Sequence, residues 1–94
     1  MRALSYEEVR DRAGDSFELV LEDERRLPLT LVRAQELPAT AREGGAFTLE
    51  WLGPYEPVLQ QAIYGFRDGD ERFEMFIVPI RQDRDGTRYE AVFN

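Results

Sequence analysis

Apolar and polar residues alternate with a period of two along most of the chain, a pattern typical of β-strands that bury one face. The first two runs lie on either side of an acidic turn over residues 22–25 and form a predicted hairpin. Their apolar positions are Phe17, Leu19, Leu21, Leu27, Leu29 and Leu31. Pro28 has no N–H for a sheet hydrogen bond, so we expect it near the start of its strand or on a sheet edge.

Four more strands are predicted by the same alternation in the rest of the chain. The third follows a loop of small residues over 38–45 and ends at Gly53-Pro54. The fourth and fifth are joined by a tight turn over 68–71, in which Gly69 is expected to supply a positive φ. The last hairpin turns at Asp85-Gly86. The apolar runs of these four strands cover residues 47–51, 61–66, 72–80 and 89–93.

One short helix is predicted ahead of the strands. Ser5 and Glu8 have the spacing of a capping box, in which each side chain bonds the backbone N–H of the other residue. Tyr6, Val9 and Ala13 form a single apolar stripe, and the chain then reaches Gly14. A helix of about two turns is too short to persist alone, so we expect its stripe to pack against the sheet.

These elements predict one mainly β (α+β) domain over residues 1–94. Six short strands with tight connections indicate a six-stranded antiparallel meander that forms a small barrel or roll. The N-terminal helix is expected to plug or cover one open end. The fifth strand contains Met75-Phe76-Ile77-Val78, which is apolar on both faces. We expect its second face to be covered by the helix, by barrel closure or by another subunit.

The charge of the chain limits its partners. Nineteen acidic residues against twelve arginines give a net charge of -7. This charge opposes binding to nucleic acid and to anionic membranes. No apolar run approaches the roughly 18 residues of a membrane-spanning helix or forms the core of a signal peptide. We therefore expect a cytoplasmic protein with neither a nucleic-acid nor a membrane partner.

Histidine, cysteine and lysine are all absent from the sequence. The chain therefore lacks the usual base near neutral pH, the thiol nucleophile, the Schiff-base amine and the softest metal ligands. The two serines, Ser5 and Ser16, have no histidine or lysine to activate them. The carboxylates fall in turns or on outward strand positions, as at Glu50 and Glu90, which predicts a solvated surface. We expect no enzyme activity, no cofactor and no metal.

Asp83-Arg84-Asp85-Gly86 with Glu90 has part of the spacing of a calcium-binding loop. Only two acidic residues precede the glycine, and the glutamate follows too early. A hairpin turn is therefore the preferred interpretation of this segment.

Aromatic side chains are the remaining candidates for binding. Tyr55 lies between two prolines in a predicted exposed loop, where no core explains it, and is the best single contact residue. Trp51, Tyr64 and Phe76 are further candidates for an interface or a ligand pocket. Aromatic residues at strand spacing more often form core, and this alternative stays open for all three.

Four segments give the chain a resemblance to a known family. They are Phe47-Thr48-Leu49-Glu50-Trp51-Leu52-Gly53-Pro54, Gln61-Ala62-Ile63-Tyr64, Phe76-Ile77-Val78-Pro79-Ile80 and Tyr89-Glu90-Ala91-Val92-Phe93-Asn94. They resemble a family of small bacterial proteins of unknown function that ends in the same Tyr-Glu-Ala-Val-Phe-Asn. Its members are often encoded near phage-tail-collar or fibre-like proteins, so the resemblance implies an accessory or assembly role. The chain departs from the family at Ala62-Ile63, where the family favours Gly-Thr.

Three functions are open at this point. The first is a non-catalytic protein-interaction module, an accessory, assembly or structural component of a phage-tail-like or fibre-like particle. It would bind a protein partner, or itself, through the two-faced strand and the Tyr55 loop. The second is a small-ligand-binding β-barrel with a cavity lined by Trp51, Tyr64 and Phe76. The third is a carboxylate-dependent enzyme, which requires acidic side chains that converge in a pocket.

Overall fold

A computed structural model describes residues 4–38 and 45–94 and shows six antiparallel strands in a closed barrel. The elements in chain order are α1 (Tyr6–Val9), β1 (Ser16–Val20), β2 (Arg26–Glu36), β3 (Phe47–Gly53), β4 (Ala62–Asp68), β5 (Glu71–Asp83) and β6 (Gly86–Phe93). The predicted mainly β fold with six strands and one N-terminal helix is confirmed. Of the two predicted forms, the barrel is the one observed.

The barrel consists of two three-stranded meanders, since its strand order is β1-β2-β3-β6-β5-β4. Seven residue pairs join β3 to β6, whereas three join β1 to β4. The β1–β4 pairs are Glu18–Arg67, Leu19–Phe66 and Val20–Gly65. This short β1–β4 pairing, termed the seam below, completes the closure. Because β3 and β4 are not neighbours, residues 54–61 connect the two meanders.

The alternation of side chains along each strand decides which of them fill the barrel. Every second residue of β3, from Phe47 to Gly53, is buried. The Trp51 ring packs edge-on against Phe17, with 5.1 Å between centroids, and lies 5.4 Å from Phe66. Its Nε1–H donates to the sulfur of Met75 at 3.2 Å. The largest fully buried side chains are Trp51, Tyr89, Phe17, Phe47, Phe66, Phe73, Leu19, Leu29, Leu31, Leu49, Met75 and Ile77.

The predicted capping box of Ser5 and Glu8 is present at the start of α1. The Glu8 carboxylate accepts hydrogen bonds from the backbone N–H of Ser5 at 3.0 Å and from its hydroxyl at 2.9 Å. Together with the contact of the Ser5 side chain to the Glu8 backbone, the first of these bonds forms the predicted box, and the bond from the hydroxyl is an addition to it. Both bonds still hold the first turn closed.

The helix is one turn long, about half the predicted length. Beyond it, the backbone N–H of Gly14 donates to the carbonyl of Leu31 at 2.7 Å, and the Leu31 N–H donates to the carbonyl of Asp15. These bonds to β2 replace helical bonds, so the helix cannot continue. Of the predicted stripe, Val9 is buried and Tyr6 packs on the core, but Ala13 is exposed.

The helix covers one end of the barrel, as predicted. The Tyr6 ring lies 5.8 Å from that of Phe47, which begins β3. Phe47 in turn stacks at 4.6 Å on Phe93, which ends β6. Leu4 and Val9 are both buried in the core cluster. This end of the barrel is therefore closed by apolar contacts.

The predicted turns are confirmed. Gly69 has a φ of 62° in the β4–β5 turn, and Gly86 has a φ of 144° where β6 begins. Pro28 is the third residue of β2, near the start of its strand as expected. The predicted loop over 38–45 lies mostly on residues 39–44, which are outside the described residues.

Candidate functional site

The four aromatic residues proposed from the sequence do not come together. Trp51 is fully buried inside the barrel, whereas Phe76 lies on its outer face and is 50% exposed. Tyr64 is partly buried, its hydroxyl donates to the carbonyl of Gln60 at 2.7 Å, and burial raises its pKa. Tyr55 is exposed in the loop, as predicted. Because Phe76 points outwards and other rings surround Trp51, the predicted cavity between Trp51, Tyr64 and Phe76 is not formed.

The Tyr55 loop is held to the barrel at two points. The backbone carbonyl of Tyr55 accepts hydrogen bonds from Gln82 Nε2 at 2.6 Å and from Thr87 Oγ1 at 3.1 Å. Further along, the N–H of buried Leu59 donates to the Tyr89 hydroxyl at 3.0 Å. The exposed Tyr55 ring is therefore presented by an anchored backbone.

An apolar strip runs across the outer face of the second meander. Ile63 on β4 and Phe76 on β5 are direct cross-strand partners, and they are 64% and 50% exposed. Val78 lies two residues further along β5, and Val92, 51% exposed, is on the neighbouring strand β6. These four residues are termed the outer apolar strip. The predicted second apolar face of the fifth strand therefore exists, and neither α1 nor barrel closure covers Phe76.

Exposed carboxylates border the outer apolar strip. Glu90 is the cross-strand partner of Val78, and Glu74 lies two residues before Phe76 on β5. Within residues 4–38 and 45–94, neither carboxylate forms an ion pair. An apolar surface with negative charge at its border is therefore open on this side of the molecule.

Glu50 on β3 lies at the centre of an ion-pair network on the outer face, with arginines from β2, β5 and β6. It is approached by Arg88 Nη1 at 3.2 Å, by Arg33 Nη2 at 3.6 Å and by Arg81 Nη2 at 3.9 Å. Its side chain is 14% exposed, which corrects the prediction of a simply solvated position. One carboxylate among three guanidinium groups forms a structural network and differs from the converging acidic pair that a carboxylate-dependent enzyme requires.

The same network explains the acidic residues of the last hairpin. Arg88 Nε donates to Asp83 Oδ2 at 2.9 Å, and the backbone N–H of Asp85 donates to Asp83 Oδ1 at 2.9 Å. The hydrogen bond from Arg88, followed by that from the backbone, lowers the pKa of Asp83. Asp83 also raises the pKa of Arg88 through this hydrogen bond. The hairpin interpretation of the Asp83-Gly86 segment is confirmed.

A second candidate site is a depression of about 430 Å³ beside the seam. It is lined by Val20, Glu24, Arg26, Gly65, Phe66, Arg67 and Arg72. Arg67 and Arg72 are cross-strand partners on β4 and β5, and Arg26 comes from the start of β2. The barrel therefore brings three arginine residues to one surface depression, which is termed the arginine depression.

The sequence did not indicate the arginine depression because its residues come from separate strands. Arg26 lies 41 positions before Arg67 in the chain, and only the seam brings their strands together. One signal was present: Gly65 interrupts the large residues Tyr64 and Phe66 within a predicted strand. A glycine in a strand interior often marks a close approach of another group.

Fold and surface together define the class of this protein: a small, closed six-stranded antiparallel β-barrel with one short N-terminal helix. Residues 4–93 match the family described as Domain of unknown function (DUF6916), and the chain belongs to that family. The resemblance to a family of unknown function is confirmed to this extent. No curated protein and no solved structure matches the chain. Among its described residues, no helix is long and apolar enough to cross a membrane.

Proposed function

We propose that the protein is a non-catalytic interaction module that binds a protein partner through the outer apolar strip. The observation that carries this proposal is the exposed cross-strand pair of Ile63 and Phe76. Large apolar side chains that adjoin on a surface mark sites of interaction more often than isolated ones do. Binding would cover the second apolar face of β5, which the barrel leaves in contact with solvent.

The partner is expected to present an apolar patch with basic groups around it. Glu74 and Glu90 border the strip and have no cation paired to them within the described ranges. Complementary charge speeds association and fixes the orientation of two proteins. A second copy of this chain fits less well, because each copy carries a net charge of -7 and the two borders would repel.

A finer proposal is that the partner belongs to a phage-tail-like or fibre-like particle and that this protein is an accessory or assembly component. The resemblance noted in the sequence supports it. The outer apolar strip supports it as well, because an assembly component needs a binding surface and no catalytic group. The identity of the bound partner tests this proposal.

Site-specific photo-crosslinking tests the strip in the native host. A photoreactive benzoylphenylalanine at position 76 is expected to capture one predominant protein. The matched control places the same group at position 32, where Val32 is 37% exposed on β2, away from the strip. The captured protein is then purified and its affinity is measured by calorimetry.

We expect Phe76→Ser to weaken this binding by about thirtyfold, because a central buried aromatic residue of an interface contributes about 2 kcal/mol. Val32→Ser should leave the affinity within about twofold, and added salt should weaken binding if the border of the partner is basic. Equal crosslinking at positions 76 and 32 would contradict the proposal. So would a crosslinked product that consists of two copies of this chain.

A further inference from the structure

We infer that the arginine depression is a binding site for a small oxyanion, either a carboxylate or a phosphate group of a metabolite. Arg26, Arg67 and Arg72 line it together. A volume of about 430 Å³ lies in the range of small-molecule sites. Guanidinium groups present parallel N–H donors that match the oxygen spacing of carboxylates and phosphates.

The charge around the depression favours an anion, although the whole chain is acidic. Neither Arg67 nor Arg72 forms an ion pair with any carboxylate of the described part of the chain. Arg26 pairs with Glu18 at 3.3 Å, and Glu24 also lines the depression. Of the lining residues, three are arginines and one is acidic, while Glu74 lies beside the depression as the cross-strand partner of Gly65. This balance suits an anion of low charge better than a polyphosphate.

Arg67 also has an unsatisfied donor. Its Nε is buried and has no hydrogen-bond partner in the structure. Buried donors without an acceptor cost free energy and are rare in folded proteins. Because this Nε is enclosed by the protein, an oxyanion in the depression would reach it only after the Arg67 side chain turns towards the ligand, and binding would then satisfy the donor.

The floor of the depression is open because Gly65 has no side chain. A Cβ built on Gly65 would meet no atom within 4 Å, so neighbouring side chains do not require a glycine there. The backbone φ of Gly65 is not in the left-handed region either, unlike that of Gly69 in the following turn, so backbone conformation does not require a glycine at position 65. Space for a ligand accounts for this glycine, whereas strand packing does not.

A bound oxyanion would also join the two meanders. Arg26 belongs to the first meander, and Arg67 and Arg72 belong to the second, with the seam between them. A ligand shared by these three residues adds a connection where the barrel has its fewest strand pairs. Binding is therefore expected to stabilise the fold as well as to occupy the depression.

NMR titration of the purified protein tests the inference, with sodium phosphate and sodium succinate as separate probes at constant ionic strength. We expect saturable shifts of the Gly65 and Arg67 amide signals and a higher midpoint of thermal unfolding. Arg67→Gln and Arg72→Gln should each weaken binding by about tenfold or more, because each removes a charge-assisted donor. Gly65→Val should also weaken it, because the new side chain fills the floor.

Arg84→Gln is the matched control, since Arg84 is exposed in the β5–β6 turn and is not part of the depression. It should leave the affinity within about twofold. Saturation by one probe alone assigns the site to that oxyanion, and saturation by both assigns it to oxyanions in general. The inference is overturned if the shifts grow linearly, without saturating, with both probes. It is also overturned if Arg84→Gln weakens binding as much as Arg72→Gln does. Arg72 is exposed, so its replacement is expected to leave the core intact.

Discussion

Single residues on the outer face owe their roles to neighbours across strands. Glu50 alternates outwards in the sequence, and that much of its position could be predicted. Its near-burial could not, because the three arginines around it lie on β2, β5 and β6 and reach it only after the strands pair. Likewise, the exposure of Tyr55 could be predicted from its place in a loop. Trp51 and Phe76 both lie at strand spacing in the sequence, yet Trp51 is buried inside the barrel and Phe76 is exposed on its outer face.

Asp83 gives a prediction for the effect of pH on stability. Hydrogen bonds from Arg88 and from the Asp85 backbone hold the pKa of Asp83 below its ordinary value of 3.8. As the pH falls, the unfolded chain therefore takes up this proton first, and the stabilisation is lost between the ordinary value and the lower native pKa. Asp83→Asn should reduce the free energy of unfolding at about pH 7, and the difference from wild type should shrink below about pH 4.

Urea unfolding at a series of pH values measures how the stability difference between Asp83→Asn and wild type depends on pH. Asp70→Asn is the control, because Asp70 is an exposed carboxylate with no ion pair in the described ranges. A difference between Asp83→Asn and wild type that stays constant down to about pH 2 would rule out this role of Asp83.

At the scale of elements, the period of two located all six strands, because each strand buries one face in a single barrel interior. The helix was predicted too long because its pattern continues to Ala13. The competing backbone bonds of Gly14 and Asp15 with Leu31 on β2 are long-range and leave no local signal. The strand order could not be read either, because alternation marks faces and does not specify which strands are neighbours.

Gly86 gives the prediction at this scale, because the start of β6 lies directly against the backbone at the end of β3. A Cβ on Gly86 would collide with the backbone oxygen of Gly53, and its φ of 144° is unfavourable for other residues. Gly86→Ala should therefore lower the free energy of unfolding by about 2 to 4 kcal/mol. Gly65→Ala is the matched control in open space and should change stability by about 1 kcal/mol or less. Chemical denaturation measures the free energy of unfolding of both variants. Similar losses in Gly86→Ala and Gly65→Ala would contradict the collision with Gly53 as the cause.

At the scale of the whole molecule, closure of the barrel depends on the seam. Arg12 reinforces it: two of its nitrogens bind the Asp68 carboxylate, at 2.9 Å and 3.2 Å, and its guanidinium lies 4.8 Å from the centre of the Phe17 ring. Arg12 also donates from Nε to the Asp15 carboxylate, and the hydrogen bonds to Asp68 and then to Asp15 raise the pKa of Arg12. Arg12 therefore ties the segment before β1 to the end of β4.

Hydrogen exchange tests the role of Arg12. Arg12→Gln should speed exchange of the β1 and β4 amides by about fivefold, because losing a partly exposed ion pair favours local opening. Exchange of the amides in the paired strands β3 and β6 should accelerate less. Arg25→Gln is the control, because Arg25 pairs only with Asp23 of its own turn among the described residues. Uniform acceleration over all strands would show that Arg12 contributes to global stability and not to the seam.

The three-pair seam also bears on strand exchange between molecules. A barrel opened there becomes a six-stranded sheet with β1 and β4 as free edges, and every other strand pair stays intact. Two such sheets can pair β1 of each with β4 of the other, which restores all native pairs and adds no new type of contact. We expect crowded or partly denaturing conditions to favour this exchanged dimer, and a tighter seam to suppress it.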